Sequence, residues 1–386
     1  MTLKTKILII GGGISGLSIA YNLVERGVKD IVIVEKSYLG AGSTGRCASG
    51  IRASFTSREH VILMKNSIEL WKKYSSGELG RYGLYYSQGG YIWLASREET
   101  AKKMEELVRL HNSLGVPTRI IDVDELKRLV PPIETKDVAS IMFDPTAGKS
   151  SPFDTLFAYY NLLRSKGVRI FLHTKVNRII NDENSVRGAE TSRGTIIAEN
   201  MVVAAGSSTR DLLRPLDVDM PLENLPRHAM LTEAYRQAFQ PLVIDWDTPG
   251  VPYIVQMKSG SFLIARNIDE EPEISLYSQR IDFMPKAVKP LIKFFPWLRN
   301  TRILRYWMGY YITTPDHHPI YGPIKGYENL YVATGFSGHG YMMGPITGRV
   351  IAEWILDGRP SIKAAEKLVL ERFEKGMLIK ELAVVG

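Results

Sequence analysis

Three glycines near the start of the chain have the spacing of a phosphate-binding turn. Gly11, Gly13 and Gly16 follow a short apolar run and precede a stretch with helical apolar periodicity. In such a turn the first glycine permits the bend, the second lets the backbone approach a pyrophosphate, and the third allows close helix packing. The N–H groups and partial positive charge of the helix N-terminus favour a phosphate there. The pattern predicts a dinucleotide site.

A carboxylate follows these glycines at the distance expected for a ribose contact. Residues 31–34 are branched and apolar, and Glu35 ends this run nineteen residues after Gly16. At the carboxyl end of a strand, a carboxylate accepts hydrogen bonds from ribose hydroxyls and disfavours the additional phosphate of NADP. The motif by itself leaves FAD and NAD as alternatives.

A second glycine-rich turn lies near the C-terminus. The apolar run at residues 330–334 leads into Gly-Phe-Ser-Gly-His-Gly at residues 335–340, and helical periodicity follows over residues 346–356. This order predicts a second unit of strand, glycine turn and helix. His339 in this turn is a polar ligand neighbour or a structural histidine, and we do not assign it as a base.

No spacing in the sequence predicts a nucleophilic triad or a metal site. Cys47 is the only cysteine, which excludes an internal disulfide and any CxxC cluster. His60 and His228 are isolated, and isolated histidines are most often structural. His317 and His318 are adjacent and would face opposite sides of an extended strand. We therefore expect no metal.

The composition is that of an enzyme-sized globular chain with two cores. Of 386 residues, 45% are hydrophobic and 23% are charged, and the net charge is +8. The basic residues are spread along the chain, so a mixed-charge surface explains them and nucleic acid is disfavoured as a partner. The uncharged stretch at residues 7–24 contains four glycines, so we expect no membrane span and a cytoplasmic protein.

The remaining patterns predict two interleaved domains. Residues 98–114 and 154–166 have helical periodicity, and short strand-like runs cover residues 168–172, 176–180, 186–191 and 195–197. Residues 201–206 predict another buried parallel strand that closes on a glycine. Alternating aromatic residues over 221–267 predict a mixed sheet in a second domain.

Several blocks of the sequence together resemble the FAD-dependent D-amino-acid oxidase superfamily. The resemblance spans nearly the whole chain, and its C-terminal block is the most specific part. Within the superfamily the sequence is most similar to the sarcosine oxidase branch, including the beta subunits of multimeric sarcosine oxidase and of archaeal dye-linked L-proline dehydrogenase. The blocks are the first glycine turn, Glu35, residues 42–46, residues 204–206, residues 314–316 and residues 335–340.

The resemblance implies an α/β fold in which a Rossmann-like FAD-binding domain is interleaved with an α+β substrate-binding domain built on a mixed sheet. We assign residues 1–82, 145–220 and 315–386 to the first domain and residues 83–144 and 221–314 to the second. The resemblance also implies hydride transfer from the alpha C–H of a small amino acid to flavin N5, giving an imine. The flavin carries this chemistry, and the protein orients the substrate and tunes the ring.

The glycine pattern and the resemblance together define the residues that we expect to bind FAD. Residues 338–342 match the family's turn against the flavin pyrimidine edge, where backbone N–H groups stabilise negative charge on the reduced ring. The full set is Gly11, Gly13, Ile14, Ser15, Gly16, Glu35, Lys36, Ser43, Thr44, Arg46, Cys47, Val176, Ala205, Gly206, Gly309, Gly338, His339, Gly340, Tyr341 and Met342.

Three side chains are candidates for contact with the substrate. Arg52 is our first choice for binding its carboxylate, because a guanidinium matches a carboxylate bidentately, and Arg46 is the competitor. Met342 stands where the sarcosine oxidase pattern usually offers a second cation. Tyr311 belongs to an aromatic segment that would exclude water and favour a neutral amine, and His228 is a further candidate.

Two departures from the family bear on flavin attachment. Gly309 occupies the position at which monomeric sarcosine oxidases tether FAD through a cysteine, so we expect noncovalent FAD. Residues 150–153 lack the histidine that holds a second flavin, FMN, in multimeric sarcosine oxidase. Covalent FMN is therefore not expected, whereas noncovalent FMN at a subunit interface stays open.

The residues at 261–266 bear on the electron acceptor. Oxygen-reactive relatives place a lysine over the flavin from the equivalent strand, and this segment contains none. We therefore favour a dehydrogenase that oxidises a secondary amine such as L-proline or sarcosine and passes electrons to an acceptor or partner subunit in an oligomer. The alternatives are a sarcosine, glycine or D-amino-acid oxidase that uses oxygen, a flavin-carrying subunit without its own substrate and, from another class, a tRNA-modifying flavoprotein.

Overall fold

Two eight-stranded sheets organise the part of the chain that the computed structural model describes, residues 2–268 and 281–382. The strands of the first sheet are β1 (Thr2–Ile10), β2 (Ile31–Val34), β8 (Arg169–Phe171), β9 (Val176–Asn181), β10 (Val186–Thr191), β11 (Gly194–Val203), β17 (Ile320–Pro323) and β18 (Leu330–Thr334). Their order is β17-β18-β11-β1-β2-β8, and β10 joins β11 to β9 at the side. The pairs from β18 to β8 are parallel, and the others are antiparallel.

The first sheet is covered on both faces, which explains its unbroken apolar runs. In β1, Ile7 and Ile9 contribute to one core, and Leu8 and Ile10 contribute to the other. Helices cover the first of these faces, and β9, β10 and residues 213–222 cover the second. This arrangement confirms the predicted Rossmann-like domain.

Eleven helices lie within the described residues. Four of them, α1, α2, α6 and α9, pack on the first sheet. The helices are α1 (Ile14–Glu25), α2 (Arg58–Ser76), α3 (Glu78–Arg81), α4 (Glu98–Ser113), α5 (Val123–Leu129), α6 (Pro152–Ser165), α7 (Thr209–Leu213), α8 (Phe283–Val288), α9 (Gly344–Asp357), α10 (Lys363–Glu366) and α11 (Glu371–Glu374). None of the helices in the described ranges is long and apolar enough to cross a membrane.

The second sheet is mixed, as the sequence predicts. Its strands are β4 (Tyr91–Ala95), β5 (Arg119–Ile120), β6 (Ser140–Asp144), β12 (Glu223–Ala234), β13 (Leu242–Asp245), β14 (Tyr253–Gln256), β15 (Ser261–Arg266) and β16 (Ile303–Thr313). They are ordered β16-β12-β15-β14-β13-β4-β6-β5, and β4 and β13 form its one parallel pair among the described strands. Two further short strands, β3 (Gly50–Ile51) and β7 (Gly148–Lys149), pair with each other and belong to neither large sheet.

Side-chain alternation gives the second sheet two different faces. Ile92 and Leu94 of β4 lie on a face that packs against α5, α8 and residues 289–300. Tyr91 and Trp93 lie on the opposite face, which meets Ala48 of the first domain's loop. We call this opposite face the cavity face, because it borders the cavity described below.

One strand differs from the sequence analysis. The runs at residues 195–197 and 201–206 were expected to be separate, but residues 194–203 form the single strand β11. Its polar residues Glu199 and Asn200 break the apolar pattern, yet pairing with β1 continues across Asn200, which lies opposite Ile7. Backbone hydrogen bonds do not depend on side-chain polarity, so the strand persists where the pattern stops.

The strands divide between the sheets in the way that supports the proposed domains. Every described strand of the first sheet falls within residues 1–82, 145–220 or 315–386. Every described strand of the second sheet falls within residues 83–144 or 221–314. The domain boundaries themselves remain a proposal.

Candidate functional site

The first glycine turn has no room for side chains at its two ends. Gly11 has a φ of +118°, and a Cβ atom built on it would lie 2.2 Å from the carbonyl oxygen of Ala204. A Cβ atom on Gly16 would lie 2.0 Å from the carbonyl oxygen of Gly11, so α1 packs directly on the turn. Gly13, the N-cap of α1, offers no side chain to cap the helix. A close backbone approach of this kind fits the pyrophosphate of a dinucleotide.

Glu35 lies beside this turn at the end of β2. One carboxylate oxygen accepts a hydrogen bond from the Gly12 N–H at 2.9 Å, and the other accepts from the Ser37 N–H at 2.9 Å. Two backbone donors therefore fix the orientation of the carboxylate next to the glycines. A carboxylate oxygen has two acceptor sites, so this arrangement is compatible with the ribose contact that the spacing predicts.

The 3₁₀ turn Ser43–Arg46 connects the first glycine turn to the second sheet. The Thr44 hydroxyl accepts a hydrogen bond from the Ile14 N–H at 3.2 Å. The Ser43 hydroxyl donates to the carbonyl oxygen of Tyr310 at 2.8 Å. These two bonds place the loop between the N-terminus of α1 and strand β16.

Gly309 meets the same loop from β16. A Cβ atom on Gly309 would lie 2.9 Å from the Cβ atom of Arg46. Two residues away on β16, the indole N–H of Trp307 donates to the Arg46 carbonyl oxygen at 2.9 Å. The close approach of the loop to the strand accounts for a glycine at position 309.

Of four other predicted FAD residues, three follow the carboxyl ends of inner strands of the first sheet, and the fourth starts β9. Ala205 and Gly206 follow β11, and Gly206 has a φ of +57°. The Lys36 ammonium group is exposed and donates to the Ser208 hydroxyl at 2.8 Å. Val176 is buried at the start of β9. Their positions next to β1 and β2 are compatible with the predicted role, which remains a proposal.

The second glycine turn contacts the cavity face, and Met342, which follows it, contacts helix α2. Gly338 has a φ of +95°, and a Cβ atom on it would lie 2.5 Å from the ring of Tyr311. The carbonyl oxygen of Met342 accepts hydrogen bonds from the Ser67 hydroxyl at 2.6 Å and from the Trp71 indole at 3.0 Å. The turn is therefore held between Tyr311 on one side and helix α2 on the other.

The two glycine turns lie at the same end of a packed helix pair. At the start of α9, a Cβ atom on Gly344 would lie 2.3 Å from Cγ1 of Ile14, near the start of α1. One turn further, a Cβ atom on Gly348 would lie 2.3 Å from the carbonyl oxygen of Ser18. The structure thus brings together the two turns that the sequence separates by more than three hundred residues.

A cavity lies between the second glycine turn, the loop after the 3₁₀ turn and the cavity face of the second sheet. Its walls come from both domains. The residues that line it are Arg46, Cys47, Ala48, Ser49, Gly50, Arg227, His228, Ala229, Tyr253, Tyr311, Gly338, Tyr341 and Met342.

Strand register decides which side chains point towards this cavity. Arg227 pairs with Gly309, and two residues along the strands Leu225 pairs with Tyr311. Residues that are directly opposite, and every second residue along a strand, share a face. Arg227 and Tyr311 therefore both lie on the cavity face.

Arg46 and Arg227 bring guanidinium groups to the cavity wall. The Nε atom of each is buried and has no hydrogen-bond partner among the described residues. Arg227 also donates from Nη1 to the Pro226 carbonyl oxygen at 2.8 Å and lies 5.5 Å from the centre of the Tyr311 ring. Buried donors without partners are costly, so this wall is suited to an anionic ligand.

Burial keeps the hydroxyl and thiol groups of the cavity neutral. Desolvation raises the pKa of Tyr253 and of Tyr311, whose hydroxyl groups are hydrogen-bonded to each other. Burial also raises the pKa of the Cys47 thiol to about 12. These groups therefore line the cavity in their protonated forms at neutral pH.

Arg52, our first choice for the substrate carboxylate, does not line the cavity. Its side chain is fully buried, donates from Nη1 to the Ser54 carbonyl oxygen at 2.5 Å, and lies 3.7 Å from the centre of the Phe55 ring and 5.1 Å from that of Trp93. Burial lowers its pKa to about 10, so it stays charged at neutral pH. Its role as carboxylate ligand stays a prediction, and Arg46 and Arg227, which line the cavity, are further candidates.

The strand register directs the side chain of His228, another predicted candidate, away from the cavity. It is adjacent to Arg227, so its side chain lies on the opposite face of the sheet, although its backbone borders the cavity. Its Nδ1 atom is hydrogen-bonded to the Tyr306 hydroxyl at 2.6 Å, and its ring lies 5.0 Å from that of Phe283. This geometry does not support a catalytic role for His228.

Arg227 and Tyr253 line the cavity but are not among the predicted site residues. Arg227 is a charged residue in a segment whose neighbours are mostly apolar, which is a recognisable anomaly. Tyr253 was noted only as one aromatic residue of the predicted sheet. Neither can be assigned to the cavity face until the register of β12, β14 and β16 is known.

Comparisons with known proteins agree with this geometry. The family model described as DAO, FAD dependent oxidoreductase, matches residues 6–354. The chain is 27% identical over 385 residues to sarcosine oxidase subunit beta from Arthrobacter sp, covering 97% of this chain and 92% of that protein. It is 25% identical to rat (Rattus norvegicus) mitochondrial dimethylglycine dehydrogenase, covering 94% of this chain and 44% of that protein. The crystal structure of L-proline dehydrogenase from P. horikoshii superposes with a TM-score of 0.93 and 33% identity, over 98% of this chain and 100% of that chain.

Proposed function

The chain belongs to the family of FAD dependent oxidoreductases, and from that premise we propose that it oxidises a small amino acid at the carbon next to nitrogen. One observation carries the proposal. The cavity lies between the second glycine turn and the cavity face, and its wall holds the Nε atoms of Arg46 and Arg227, which are buried and have no hydrogen-bond partner in the part of the chain that the structure describes. A substrate carboxylate is the small anion that two guanidinium groups recognise most directly.

We assign noncovalent FAD to the two glycine turns, with Glu35 as the candidate for the ribose. When bound, FAD supplies the two-electron acceptor for oxidation of the substrate C–H bond. The protonated Cys47 thiol is a poor nucleophile, which supports a flavin that is not tethered. We do not propose FMN, because Ser150 pairs with Thr155 and Ser151 caps α6, so the fold itself uses the hydroxyl groups at this position.

The residues of the chain would orient the substrate and exclude water. Arg227 and Arg46, which both lie next to Gly309, would bind the carboxylate and so place the amine against the aromatic wall. Tyr253, Tyr311 and the Gly338 backbone form that wall. An amine in such surroundings loses its hydration, which favours its neutral form, and only the neutral amine has the lone pair that stabilises a developing imine.

A dehydrogenase is favoured over an oxidase on the same geometry. No lysine is found among the described residues that line the cavity. On β15, the residues that share the register of the cavity face are Leu263 and Ala265, which pair with Val255 and Tyr253. A positive charge above the flavin, such as oxygen-reactive relatives have, is therefore not supplied from this strand. We propose an acceptor other than oxygen.

L-proline and sarcosine are the substrates that we propose first. The names of two similar proteins support them, because one is an L-proline dehydrogenase and one is a sarcosine oxidase subunit. Since the second is a beta subunit, we also propose that this chain assembles with a partner subunit.

A substrate panel tests the proposal. L-proline, sarcosine, glycine and D-alanine are added anaerobically to the FAD-loaded protein, and loss of flavin absorbance is followed. Turnover is then measured in parallel with a dye acceptor and with oxygen. We expect L-proline or sarcosine to bleach the flavin and reduce the dye without peroxide. Rapid peroxide formation would favour an oxidase, and a flavin that no amino acid bleaches would overturn the assignment of this cavity.

A further inference from the structure

A second buried polar cluster lies outside the cavity. It forms where the first turn of α2, the loop before β17 and the C-terminal segment meet. His60, His318 and Glu381 are all buried there, with 0% exposure each, and one potential ligand atom from each lies within 4.8 Å of the other two. The proposed function uses none of these side chains.

The hydrogen bonds of His318 define which of its nitrogens has a lone pair. Its Nδ1 atom is 3.0 Å from the carbonyl oxygen of Asp316. A carbonyl only accepts, so Nδ1 carries the proton, and Nε2 is the atom with the lone pair. Nε2 faces the cluster and accepts a hydrogen bond from the Ser57 hydroxyl at 2.9 Å, a bond that an ion would replace. An imidazole whose second nitrogen donates to a backbone carbonyl is the usual form of a metal-binding histidine.

The Glu381 carboxylate is fixed at the cluster by donors from the start of α2. It accepts hydrogen bonds from the Thr56 N–H at 2.9 Å, from the Thr56 hydroxyl at 2.6 Å and from the Ser57 N–H at 2.8 Å. These donors orient the group and leave it negatively charged. The nearby carboxylate of Asp316 is occupied by Arg372, whose Nε lies 2.8 Å away.

His60 is the group that the fold leaves unsatisfied. Both of its ring nitrogens are buried and have no hydrogen-bond partner among the described residues. Its Nδ1 atom lies 3.9 Å from a carboxylate oxygen of Glu381, too far for a hydrogen bond. Its ring is held in place by Phe55, stacked at 4.5 Å, and by the edge of His339 at 5.0 Å. A buried imidazole without a hydrogen-bond partner among the described residues needs an explanation, and a metal ion held by its neighbours is one that fits the geometry.

We propose that His60, His318 and Glu381 bind a divalent transition-metal ion, with Zn²⁺ as the first choice. Ligand atoms at about 2.1 Å from one tetrahedral ion lie about 3.4 Å apart. The ligand atoms of the cluster lie within 4.8 Å of one another, and the Nδ1 atom of His60 is 3.9 Å from Glu381, so binding would draw them closer together. Two neutral imidazoles and a carboxylate are a donor set that zinc accepts. The Ser57 hydroxyl or a water would complete the coordination.

The site joins segments that are distant in the sequence. His60 follows the N-cap of α2, whereas Glu381 lies near the C-terminus. An ion there would attach the C-terminal segment to α2 and to the loop that carries His318. The Arg52 guanidinium lies within electrostatic reach of His60 and opposes a cation. We therefore expect an ion that EDTA removes, with a role in stability.

Metal analysis of the full-length, tag-free protein tests the proposal. EDTA-treated protein is incubated with Zn²⁺ or Co²⁺, passed through gel filtration and analysed for bound metal. We expect about one equivalent per chain, visible Co²⁺ absorption bands, and a melting temperature that rises with Zn²⁺. If the wild-type chain keeps no metal after this treatment, His60 is satisfied by water alone and the proposal is overturned.

Variants assign the ligands. His60→Ala, His318→Ala and Glu381→Gln should each reduce bound metal to below about 0.2 equivalents and abolish the effect of Zn²⁺ on melting. Glu381→Gln keeps one acceptor oxygen, which can still accept from Thr56, but it loses the acceptor for the Ser57 N–H. The melting temperature of the metal-free variant therefore serves as its own reference. His111→Asn is the matched control, because His111 is equally buried but both of its nitrogens have partners, Thr118 and the Phe55 carbonyl. Undiminished metal in the folded Glu381→Gln protein, or equal loss in the control, would contradict the assignment.

Discussion

The first glycine turn and the cavity face of the second sheet are built for recognition in different ways. At the turn, Gly11 and Gly16 leave only backbone, with 2.2 Å and 2.0 Å between a built Cβ atom and the nearest oxygen. At the cavity face, Arg227, Tyr253 and Tyr311 present side chains on neighbouring strands. Backbone N–H groups bind the phosphates common to all dinucleotides, whereas side chains define one substrate. We therefore expect all-or-none effects at the turn and graded effects at the cavity face.

Gly11→Ala is expected to have the largest effect. The added methyl group would collide with the Ala204 carbonyl oxygen and would also require a φ near +118°. The turn would have to move away from the phosphate position, so the purified protein should contain almost no FAD, as measured by the ratio of flavin to protein absorbance. Gly27→Ala is the control, because Gly27 also has a positive φ of +88° but no atom within 4 Å of a built Cβ. A Gly11→Ala protein with full flavin content would show that the first glycine turn tolerates side chains and does not differ from the cavity face in this respect.

Arg227→Met should have the next largest effect. Removal of one partner from a buried charged hydrogen bond costs about 2–5 kcal/mol, so kcat/KM for L-proline or the best amino acid should fall by about 30-fold or more. The loss should be small for pyrrolidine, which lacks the carboxylate. Arg305→Met, at an exposed position of the same strand pair, is the control. If Arg52→Lys shows this carboxylate-specific loss and Arg227→Met does not, Arg52 is the residue that binds the substrate carboxylate.

Tyr311→Phe should have a moderate effect. The substitution keeps the aromatic wall and removes the hydroxyl that pairs with Tyr253, so we expect a five- to tenfold fall in kcat/KM, equivalent to about 1 kcal/mol. Because burial raises the pKa of Tyr253 and Tyr311, neither should ionise in the native protein below pH 10. The pH profiles of the variant and the wild-type protein should therefore match up to that pH. An alkaline limb that is present in the wild type and absent in the variant would show that Tyr311 titrates in catalysis.

The raised pKa values of Tyr253 and Tyr311 also predict that the protein loses stability at alkaline pH. An unfolded tyrosine releases its proton near pH 10, whereas the buried hydroxyl groups retain theirs. Stability should be unaffected by these groups at neutral pH and should fall as the pH rises above about 10. Denaturant unfolding at several alkaline pH values measures it, and a smaller pH dependence is expected for Tyr311→Phe.

His228→Asn should have the smallest effect on catalysis. Its neighbour Arg227 lies on the cavity face, but its own ring packs with Tyr306 and Phe283 on the other face. We expect kcat/KM within about twofold of wild type and a loss of unfolding free energy of about 1–2 kcal/mol from the altered Tyr306 hydrogen bond. A large loss of kcat with unchanged stability would show that the register argument fails at this position.

The glycine turns could be predicted from the sequence because their geometry is local. The apolar run of β1, Gly11, Gly13, Gly16 and Glu35 all lie within thirty-five residues, and the turn requires particular residue types at fixed spacing. The order of helices and strands followed from periodicity for the same reason. The prediction of two separate runs at residues 195–197 and 201–206 was wrong, because backbone pairing in β11 continues across its polar residues.

The substrate side of the site could be predicted only in part. Arg46, Tyr311 and Gly338 were placed near one another through the family resemblance, and they do line one cavity. Arg52 was preferred because a guanidinium group matches a carboxylate and because it follows the loop expected to bind flavin, but its guanidinium lies 3.7 Å from the centre of the Phe55 ring and the residue is not among those that line the cavity. Proximity along the chain says little about direction, which packing determines.

The buried histidine cluster had no signature in the sequence. His60, His318 and Glu381 are separated by 258 and 63 residues, so no motif connects them. Adjacent His317 and His318 were set aside on the assumption of an extended strand, but His317 has a φ of +59° and lies in a turn. Their juxtaposition arises from the packing of three segments that are each unremarkable alone.

By itself, the sequence determined the two glycine turns, the carboxylate that follows the first, the succession of helices and strands and the division into two kinds of sheet. These features depend on φ preferences, on the lack of a Cβ atom and on apolar periodicity, which act over a few residues. Only the tertiary structure decided that Arg227 faces the cavity while His228 does not, and that His60 meets Glu381. Such choices depend on strand register and on long-range packing, where a shift of one residue reverses the direction of every side chain.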